Sequence, residues 1–382
     1  MKVKENEEMK KYSFVIPAYQ SKKMLRNTLE VLNLQCGFGK QDYEVIIVDD
    51  GSTDNTEMFI HGVNRNYDLK YIYLERNEAS CRSRARNFGW RAAEGEFIIF
   101  IDADILVKNN YLLELERFFR INQDLLVVGT RIMLPHEVGT DIILNGSVFE
   151  KYQFNQQNQE NMEFRHKIFM ELSYNASRMR YPFLYSLSCN LALHKKWLER
   201  IDGFDEELKK WGIEDIEMVY RAYEKGIKIV INSHNEVLHQ FHGVHGNFVE
   251  EDKVAGVREN TEIFLRKHRG AILSNDQEIY ELFNSIATCF RKLESKEQMK
   301  NGRVIVEFDN LDKLNDIKKI ILTLSKLNGI DILVNDYVED TDLDIWIQLL
   351  EDCNSIPAYY PISKKIISEE EKVCKVNFKN VG

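Results

Sequence analysis

The feature that most constrains the fold is a regular alternation of strand-like and helix-like segments in the first 130 residues. Continuous apolar runs such as Glu44–Val48 are typical of strands buried on both faces, and the segments between them repeat at helical spacing. A β-α-β-α order predicts an α/β fold with a mainly parallel sheet flanked by helices. The predicted strands are Ser13–Ile16, Glu44–Val48, Lys70–Leu74, Phe97–Ile101 and Leu125–Gly129, and helices are predicted over Ala79–Glu94 and Asn110–Arg120.

Polar clusters follow three of these strands at the point where each strand ends. Pro17-Ala18-Tyr19 follows the first strand, Asp49–Asp54 the second and Asp102-Ala103-Asp104 the fourth. Open parallel sheets bind ligands beyond the carboxyl ends of their strands. The sequence therefore predicts that three separate segments form one binding site at a single edge of the sheet.

The Asp102-Ala103-Asp104 triplet is the sharpest of these signals. A solvated turn is the alternative, but apolar residues on both sides, Phe97–Ile101 and Ile105–Val107, argue against a simple exposed turn. Carboxylates leaving a buried strand are costly unless a positive charge meets them, and their oxygens suit Mg²⁺ or Mn²⁺. A divalent cation, Mn²⁺ or Mg²⁺, is the expected cofactor.

The cluster after the second strand has two interpretations. One of the tandem carboxylates, Asp49 or Asp50, is expected to accept hydrogen bonds from a base or a ribose. Ser52 or Asp54 would serve equally well as the cap of a turn entering a helix. Basic and amide side chains that could reach a diphosphate cluster at the start of the next helix, although at least one of them can belong to a solvated face; these are Asn77, Arg82, Arg84 and Arg86.

A second polar region begins at Ser188-Cys189-Asn190 and continues through residues 201–226. The apolar spacing predicts a helix that starts near Gly212 and carries Glu214 and Asp215 in its first turn. Acidic residues there cap a helix electrostatically, or one of them acts as the general base toward an acceptor hydroxyl.

Three histidines follow at intervals of three residues: His239, His242 and His245. Gly243 and Gly246 do not support a rigid zinc site in this segment. We expect one imidazole to complete the Asp104 metal site and the other two to be ordinary loop residues.

Composition limits the classes of partner. The 382 residues carry a formal charge of −10, which gives no broad field for nucleic acid and requires a metal or local cations to hold an anionic ligand. The six cysteines form no CxxC pair, the N-terminus is charged, and the longest apolar run, Phe97–Val107, is interrupted by two aspartates. These features predict a cytoplasmic protein without a transmembrane segment, with at most peripheral membrane contact.

Four segments in order carry a resemblance to a known family: FVIPAYQ, VIIVDDGSTDNT, ARNFGWRAAEGEFIIFIDAD and GFDEELKKWGIEDIEMVYRAYEKG. Together they span roughly residues 12–245, and the chain resembles the family 2 glycosyltransferases of the GT-A fold. The last segment is also similar to the C-terminal part of galactosyl- and N-acetylgalactosaminyltransferases and of chondroitin-type polymerases. The resulting expectation is a flexible N-terminus at 1–11, a GT-A domain at 12–270 and a small accessory α/β domain of unknown role at 275–382. Within the GT-A domain, the Asn/Gln-rich residues 145–180 are expected to be a mobile excursion over the site or a surface insertion.

The resemblance also implies roles for individual residues. Pro17, Ala18 and Tyr19 would cradle the base and Asp50 would bond to it, while Asp102 would hold the ribose and Asp104 and His239 the metal. Asp215 would be the base, with Glu214 beside it. The donor-binding set implied in this way is Pro17, Ala18, Tyr19, Asp50, Asn77, Arg84, Arg86, Asp102, Ala103, Asn190, Trp211 and Gly212.

The implied activity is metal-dependent transfer of a sugar from a nucleotide diphosphate donor, with a UDP-sugar as the expected donor. The acceptor stays open between a glycan, a lipid-linked sugar, a small molecule and a peptide. W-G-x-E-D at 211–215 approximates the W-G-x-E-N of retaining enzymes, yet Asp215 in place of Asn favours a base and hence inversion. Two alternatives are a nucleotidyltransferase, which would need a Gly-rich loop where this chain has PAYQSKK, and a catalytically silent binding module.

Overall fold

The structure, a computed structural model, describes residues 10–60, 65–152, 163–171, 174, 176, 179, 181–243, 251–270, 302–308, 312, 314–325, 330–336, 358–361 and 374–377. Its first sheet contains strands β1 Tyr12–Ala18, β2 Tyr43–Asp49, β3 Asp68–Tyr73, β4 Phe97–Ile101, β5 Ile105–Leu106, β6 Leu125–Met133, β7 Asn190–His194 and β8 Lys228–His239. The helices around it are α1 Lys22–Leu32, α2 Thr56–Ile60, α3 Arg82–Ala92, α4 Tyr111–Ile121, α5 Thr140–Leu144, α6 Ser147–Lys151, α7 Phe164–Glu171, α8 Lys195–Ile201, α9 Glu214–Glu224 and α10 Glu251–Lys267.

The first sheet has the strand order β3-β2-β1-β4-β7-β6-β8-β5. Strands β1 to β4 run parallel, which confirms the predicted α/β architecture. Strand β7 runs antiparallel to both β4 and β6, and β5 runs antiparallel to β8. The sequence did not reveal this mixed half, because a strand buried on both faces shows the same apolar pattern in either direction.

The core lies on both faces of this sheet. In β2, Val45 and Ile47 belong to one apolar cluster while Ile46 and Val48 belong to the other, and all four side chains are fully buried. Successive side chains of a strand point to opposite faces, so a continuous apolar run is what two covered faces require. Each such side chain contributes about 1.5–3 kcal/mol on burial.

Helix α3 lies unusually close to the sheet. A Cβ atom on Gly89 would stand 2.3 Å from Cγ1 of Val15, so only glycine permits this approach. The contact packs α3, the helix that carries Arg84 and Arg86, directly against β1 and β2.

Part of the Asn/Gln-rich segment is buried in this structure. Helix α7 and the residue before it contribute Glu163, Arg165 and Phe169, which are each at most 2% exposed. Helix α7 therefore packs into the core, while residues 153–162 lie outside the described residues and the role expected for the whole segment stays a prediction.

The C-terminal residues form a second, four-stranded sheet, which agrees with the predicted small α/β unit. Its strands are all parallel, in the order β11-β10-β9-β12. They are β9 Gly302–Phe308, β10 Ile330–Asp336, β11 Ala358–Pro361 and β12 Cys374–Asn377, with helix α11 Leu314–Ser325 between β9 and β10. The N-terminal residues 1–9 lie outside the described residues, and the domain boundaries stay predictions. Among the described helices, none has the length and apolarity that a membrane span needs.

Candidate active site

The tandem aspartates at the end of β2 have different environments. Asp49 is 1% exposed, and its carboxylate accepts hydrogen bonds from the Ser52 N–H at 2.7 Å and the Tyr71 hydroxyl at 2.8 Å. Asp50 instead faces two arginines, with Oδ2 at 3.1 Å from Arg76 and Oδ1 at 3.7 Å from Arg84. Asp49 therefore shapes the turn, whereas Asp50 pairs with arginines at the edge of the sheet.

An exposed aromatic surface lies beside Asp50. The guanidinium of Arg76 stacks 3.9 Å above the ring of Tyr19, which is 47% exposed. Gly51 adopts φ +85°, and a Cβ there would stand 2.6 Å from Cβ of Arg76, so glycine is needed for the approach. Sequence reasoning missed Arg76, although it follows the end of β3 at the same edge as the other polar clusters.

Several other members of the predicted donor-binding set accept hydrogen bonds that stabilise the local backbone. Ala18 ends β1, with Pro17 before it, and its carbonyl accepts from the Asp50 N–H at 2.9 Å. The carbonyl of Ala103 accepts from the Thr28 hydroxyl at 2.9 Å. The side chain of Asn77 accepts from the Ala79 N–H at 2.8 Å, which makes it a turn-forming residue in this structure.

The turn after β2 also contains the cap that the sequence allowed. Asp54 accepts from the Lys22 N–H at 3.0 Å and from the Thr56 N–H at 3.2 Å, so it ties the start of α1 to the start of α2. Partial burial disfavours the charged form, but the hydrogen bonds from Thr56 and Lys22 lower the pKa of Asp54. Asp54 is therefore structural.

Arg86 is the charge around which three carboxylates gather. Its side chain is 2% exposed, and its guanidinium lies 3.3 Å from each of Asp102, Glu214 and Asp215. Burial by itself lowers the pKa of Arg86, but the three carboxylates outweigh it and raise that pKa above its ordinary value. A single buried cation thus joins the end of β4 to the first turn of α9.

The two acidic residues of α9 differ in accessibility. Glu214 is buried, and its pKa is raised by burial first and by the neighbouring Asp215 second, with Arg86 opposing both. Asp215 is 16% exposed, and its Oδ1 accepts from the Ser188 hydroxyl at 2.6 Å. Both contacts of Asp215 use Oδ1, and its Oδ2 has no protein partner among the described residues.

Asp104 meets two histidines on the other side of the triplet. Its Oδ2 lies 3.4 Å from Nε2 of His239 and 3.8 Å from Nε2 of His242. One ligand atom from each of the three residues lies within 4.8 Å of the others. The prediction paired His239 with Asp104 and left His242 among the loop residues, whereas the structure brings both histidines to Asp104; His245 lies outside the described residues.

These three residues fit a divalent cation. Oδ1 of Asp104 is buried without a hydrogen-bond partner among the described residues, and Nδ1 of His239 faces the Gln240 carbonyl at 3.1 Å, which directs Nε2 toward Asp104. Burial raises the pKa of Asp104, although His239 opposes it, and burial lowers the pKa of His239, although Asp104 opposes it. A cation would replace the proton on the carboxyl group and bind the neutral imidazole.

The loop before α9 has a strained backbone. Gly212 and Ile213 have φ angles of +88° and +74°, and Ile213 stands at the N-cap without a side-chain hydrogen bond. A β-branched residue rarely adopts this conformation, which costs about 1–3 kcal/mol. Trp211, the other predicted pocket residue, is partly buried against the core.

Asn190 and Arg131 are bound into the protein interior. The amide of Asn190 donates to the carbonyls of Thr130 and Asn235 and accepts from the Tyr111 hydroxyl at 2.7 Å, so the structure does not bring it to the group around Arg86. Arg131 bonds to Glu163 at 3.0 Å and was missed, although a charged residue in an apolar strand is a visible signal. The proposed pocket role of Asn190 stays a prediction.

Comparison with known proteins shows which protein families this chain is similar to. Residues 13–183 match the family model described as glycosyl transferase family 2, and residues 169–245 match the model described as the N-terminal domain of galactosyltransferase. The chain is 29% identical to a chondroitin synthase of Escherichia coli over 229 residues, which cover 56% of this chain and 32% of the relative. It is 28% identical over 261 residues to a validoxylamine A glucosyltransferase of Streptomyces hygroscopicus subsp. limoneus. These residues cover 67% of this chain and 56% of that relative.

The chain therefore spans less than two thirds of the length of these relatives. Among solved structures, a mannosyltransferase from Pyrobaculum calidifontis in complex with GDP-Man and Mn²⁺ superimposes with a TM-score of 0.50 at 13% identity, covering 74% of this chain and 72% of that one. This similarity concerns the fold alone. Residues 13–183, just under half of the chain, are thus similar to the family 2 glycosyltransferases, and the sheet displays the GT-A fold.

Proposed function

We propose that this protein transfers a sugar from a nucleotide diphosphate donor, with UDP as the nucleotide, to an acceptor hydroxyl with inversion. The observation that carries the proposal is the difference between the two carboxylates of the triplet: Asp102 faces Arg86, while Asp104 faces His239. The end of β4 thus offers one carboxylate to the proposed metal set and the other to Arg86, which also pairs with Glu214 and Asp215 of α9.

Two groups of residues would hold the donor, one at its base and one at the cation on its diphosphate. Tyr19 and Arg76 offer a stacking surface for a base, and Asp50 offers a carboxylate oxygen to it. Asp104, His239 and His242 would hold the cation, and their imidazole nitrogens favour Mn²⁺ over Mg²⁺, which prefers oxygen ligands. A bound divalent cation supplies charge neutralisation for the departing diphosphate.

Asp215 would be the general base. Ser188 and Arg86 fix its Oδ1, so its Oδ2 can receive the proton of an acceptor hydroxyl. With the base on one side of the anomeric carbon and the leaving group on the other, a single displacement inverts configuration. Glu214 is buried and paired with Arg86, so its role would be to hold that arginine in place.

The nature of the partners is less closely constrained. Uridine comes from the family resemblance, and the relatives named as a chondroitin synthase and a glucosyltransferase leave the sugar open. A glycan, a lipid-linked sugar, a small molecule or a peptide can supply the acceptor hydroxyl. A cytoplasmic location is a proposal based on the dispersed cysteines.

The test measures release of the nucleotide diphosphate from a panel of nucleotide sugars with Mn²⁺, Mg²⁺ or EDTA. We expect one donor to be hydrolysed slowly with metal, and the activity to be lost in Asp104→Asn but kept in the matched control Asp124→Asn, which lies at the opposite end of the sheet. Equal rates in EDTA would contradict the metal role. Absence of donor binding with Mn²⁺ would favour the silent module, and pyrophosphate release from a nucleoside triphosphate and a sugar phosphate would favour the nucleotidyltransferase.

A further inference from the structure

The N-cap position of α9 provides no side-chain hydrogen bond to the helix. Glu214 and Asp215 follow two consecutive residues with positive φ, Gly212 and Ile213, and the Ile213 side chain provides no cap. A strained conformation persists only where the surrounding structure holds it. Another element must therefore fix the loop that carries the catalytic carboxylates.

Helix α10 fixes this loop through the fully buried side-chain amide of Asn260. Asn260 is 0% exposed, and its Nδ2 donates to the carbonyl of Lys210 at 3.0 Å and to that of Gly212 at 2.6 Å. Its Oδ1 accepts from the Lys210 N–H at 3.4 Å. Both the donor and the acceptor group of this side chain are thus used on the loop backbone.

Glycines on both sides allow the close approach. A Cβ on Gly256, one turn before Asn260, would stand 3.1 Å from the Trp211 nitrogen, and a Cβ on Gly212 would stand 2.9 Å from Cγ2 of Val257. Further along, His268 at the end of α10 lies 2.9 Å from Glu217 of α9. The two helices therefore hold the loop between them as one packed unit.

We propose that Asn260 is a positioning residue that holds Ile213 in its left-handed conformation and so keeps Glu214 and Asp215 against Arg86. The expected effect of Asn260 on turnover rests on the proposed function. Its expected effect on the conformation of the loop does not. Without the amide, the loop relaxes away from the strained conformation and Asp215 loses its alignment. The substitution Ile213→Gly removes the strain and with it most of the need for the clamp.

The experiment is a double-mutant cycle of Asn260→Ala and Ile213→Gly. In the wild-type background we expect Asn260→Ala to lower kcat about tenfold with the donor Kd changed by less than about threefold. In the Ile213→Gly background we expect the same change to lower kcat by less than about threefold. The matched control is Thr261→Val, because this buried neighbour donates to the Val257 carbonyl of its own helix and its loss should lower Tm without lowering kcat.

A second measurement follows amide hydrogen exchange in the peptide containing residues 211–219 without any donor. We expect faster exchange in Asn260→Ala than in wild type or Thr261→Val, because the Glu217 N–H donates to the Ile213 carbonyl at 2.8 Å and loses that partner when the loop relaxes. Unchanged exchange, or an equal loss of kcat in both backgrounds, would overturn the positioning role. Faster exchange in a protein that turns over no donor would leave the positioning role standing and refute the proposed function.

Discussion

Replacing Arg86 by methionine tests the electrostatic centre of the site. The substitution keeps most of the side-chain volume but removes a guanidinium that lies 3.3 Å from three carboxylates. Removing one partner of a buried ion pair typically costs about 3–5 kcal/mol, because it leaves the other charge uncompensated. We expect the free energy of unfolding to fall by about that amount at pH 8.

The loss should depend on pH with a definite sign. Arg86 opposes the raised pKa of Glu214, so its removal raises that pKa further. A carboxyl group whose folded pKa exceeds its unfolded value stabilises the folded state at low pH and loses that contribution as pH rises through the folded pKa. The variant should therefore be less destabilised at pH 5.5 than at pH 8.

The assay is equilibrium urea denaturation at both pH values, with Arg84→Met as the matched control. Arg84 lies on the same helix, but its carboxylate partner Asp50 keeps a second arginine, Arg76. We expect a loss of about 1 kcal/mol or less in this control. Equal losses in the two variants, or a loss for Arg86→Met that does not change with pH, would refute the electrostatic argument.

Three further predictions concern the base, the metal and the packing. Asp215→Asn should lower kcat about 10²–10⁴-fold without weakening donor binding in calorimetry, and an unchanged kcat would exclude a base role. The increase in Tm on adding Mn²⁺ should be larger at pH 8 than at pH 5.5, because the cation must displace the proton that the raised pKa of Asp104 retains, and equal increases would contradict this. Gly89→Ala should lower the free energy of unfolding by about 1–3 kcal/mol in urea melts, since its Cβ would overlap Val15, whereas Ala85, on the same helix, already carries a Cβ and tolerates its site.

Much of the fold could be predicted from the sequence, because parallel strands covered on both faces require continuous apolar runs. Continuous apolar runs such as Glu44–Val48 are needed where both faces of a sheet are covered, and polar residues after them mark the edge where ligands bind. The same logic assigned Asp50, Asp102 and Asp104 to one edge from their places in the sequence. The antiparallel direction of β7 could not be predicted, since the residue pattern of a buried strand does not encode its direction.

Within the site, the sequence determined which residue types are present, and the tertiary structure decided what each one does. Asp49 and Asp50 are indistinguishable as neighbours in sequence, yet only Asp50 faces arginines, because alternate residues of a strand end point to opposite sides. Arg86 and Glu214 are separated by 128 residues, and their pairing exists only once α3 and α9 pack together. Likewise, Asn260 carries no motif, and its contacts with Lys210 and Gly212 arise from the close packing of α10 against the loop before α9. Local propensity and periodicity act over a few residues, whereas charge compensation and backbone strain are settled by contacts between segments far apart in the chain.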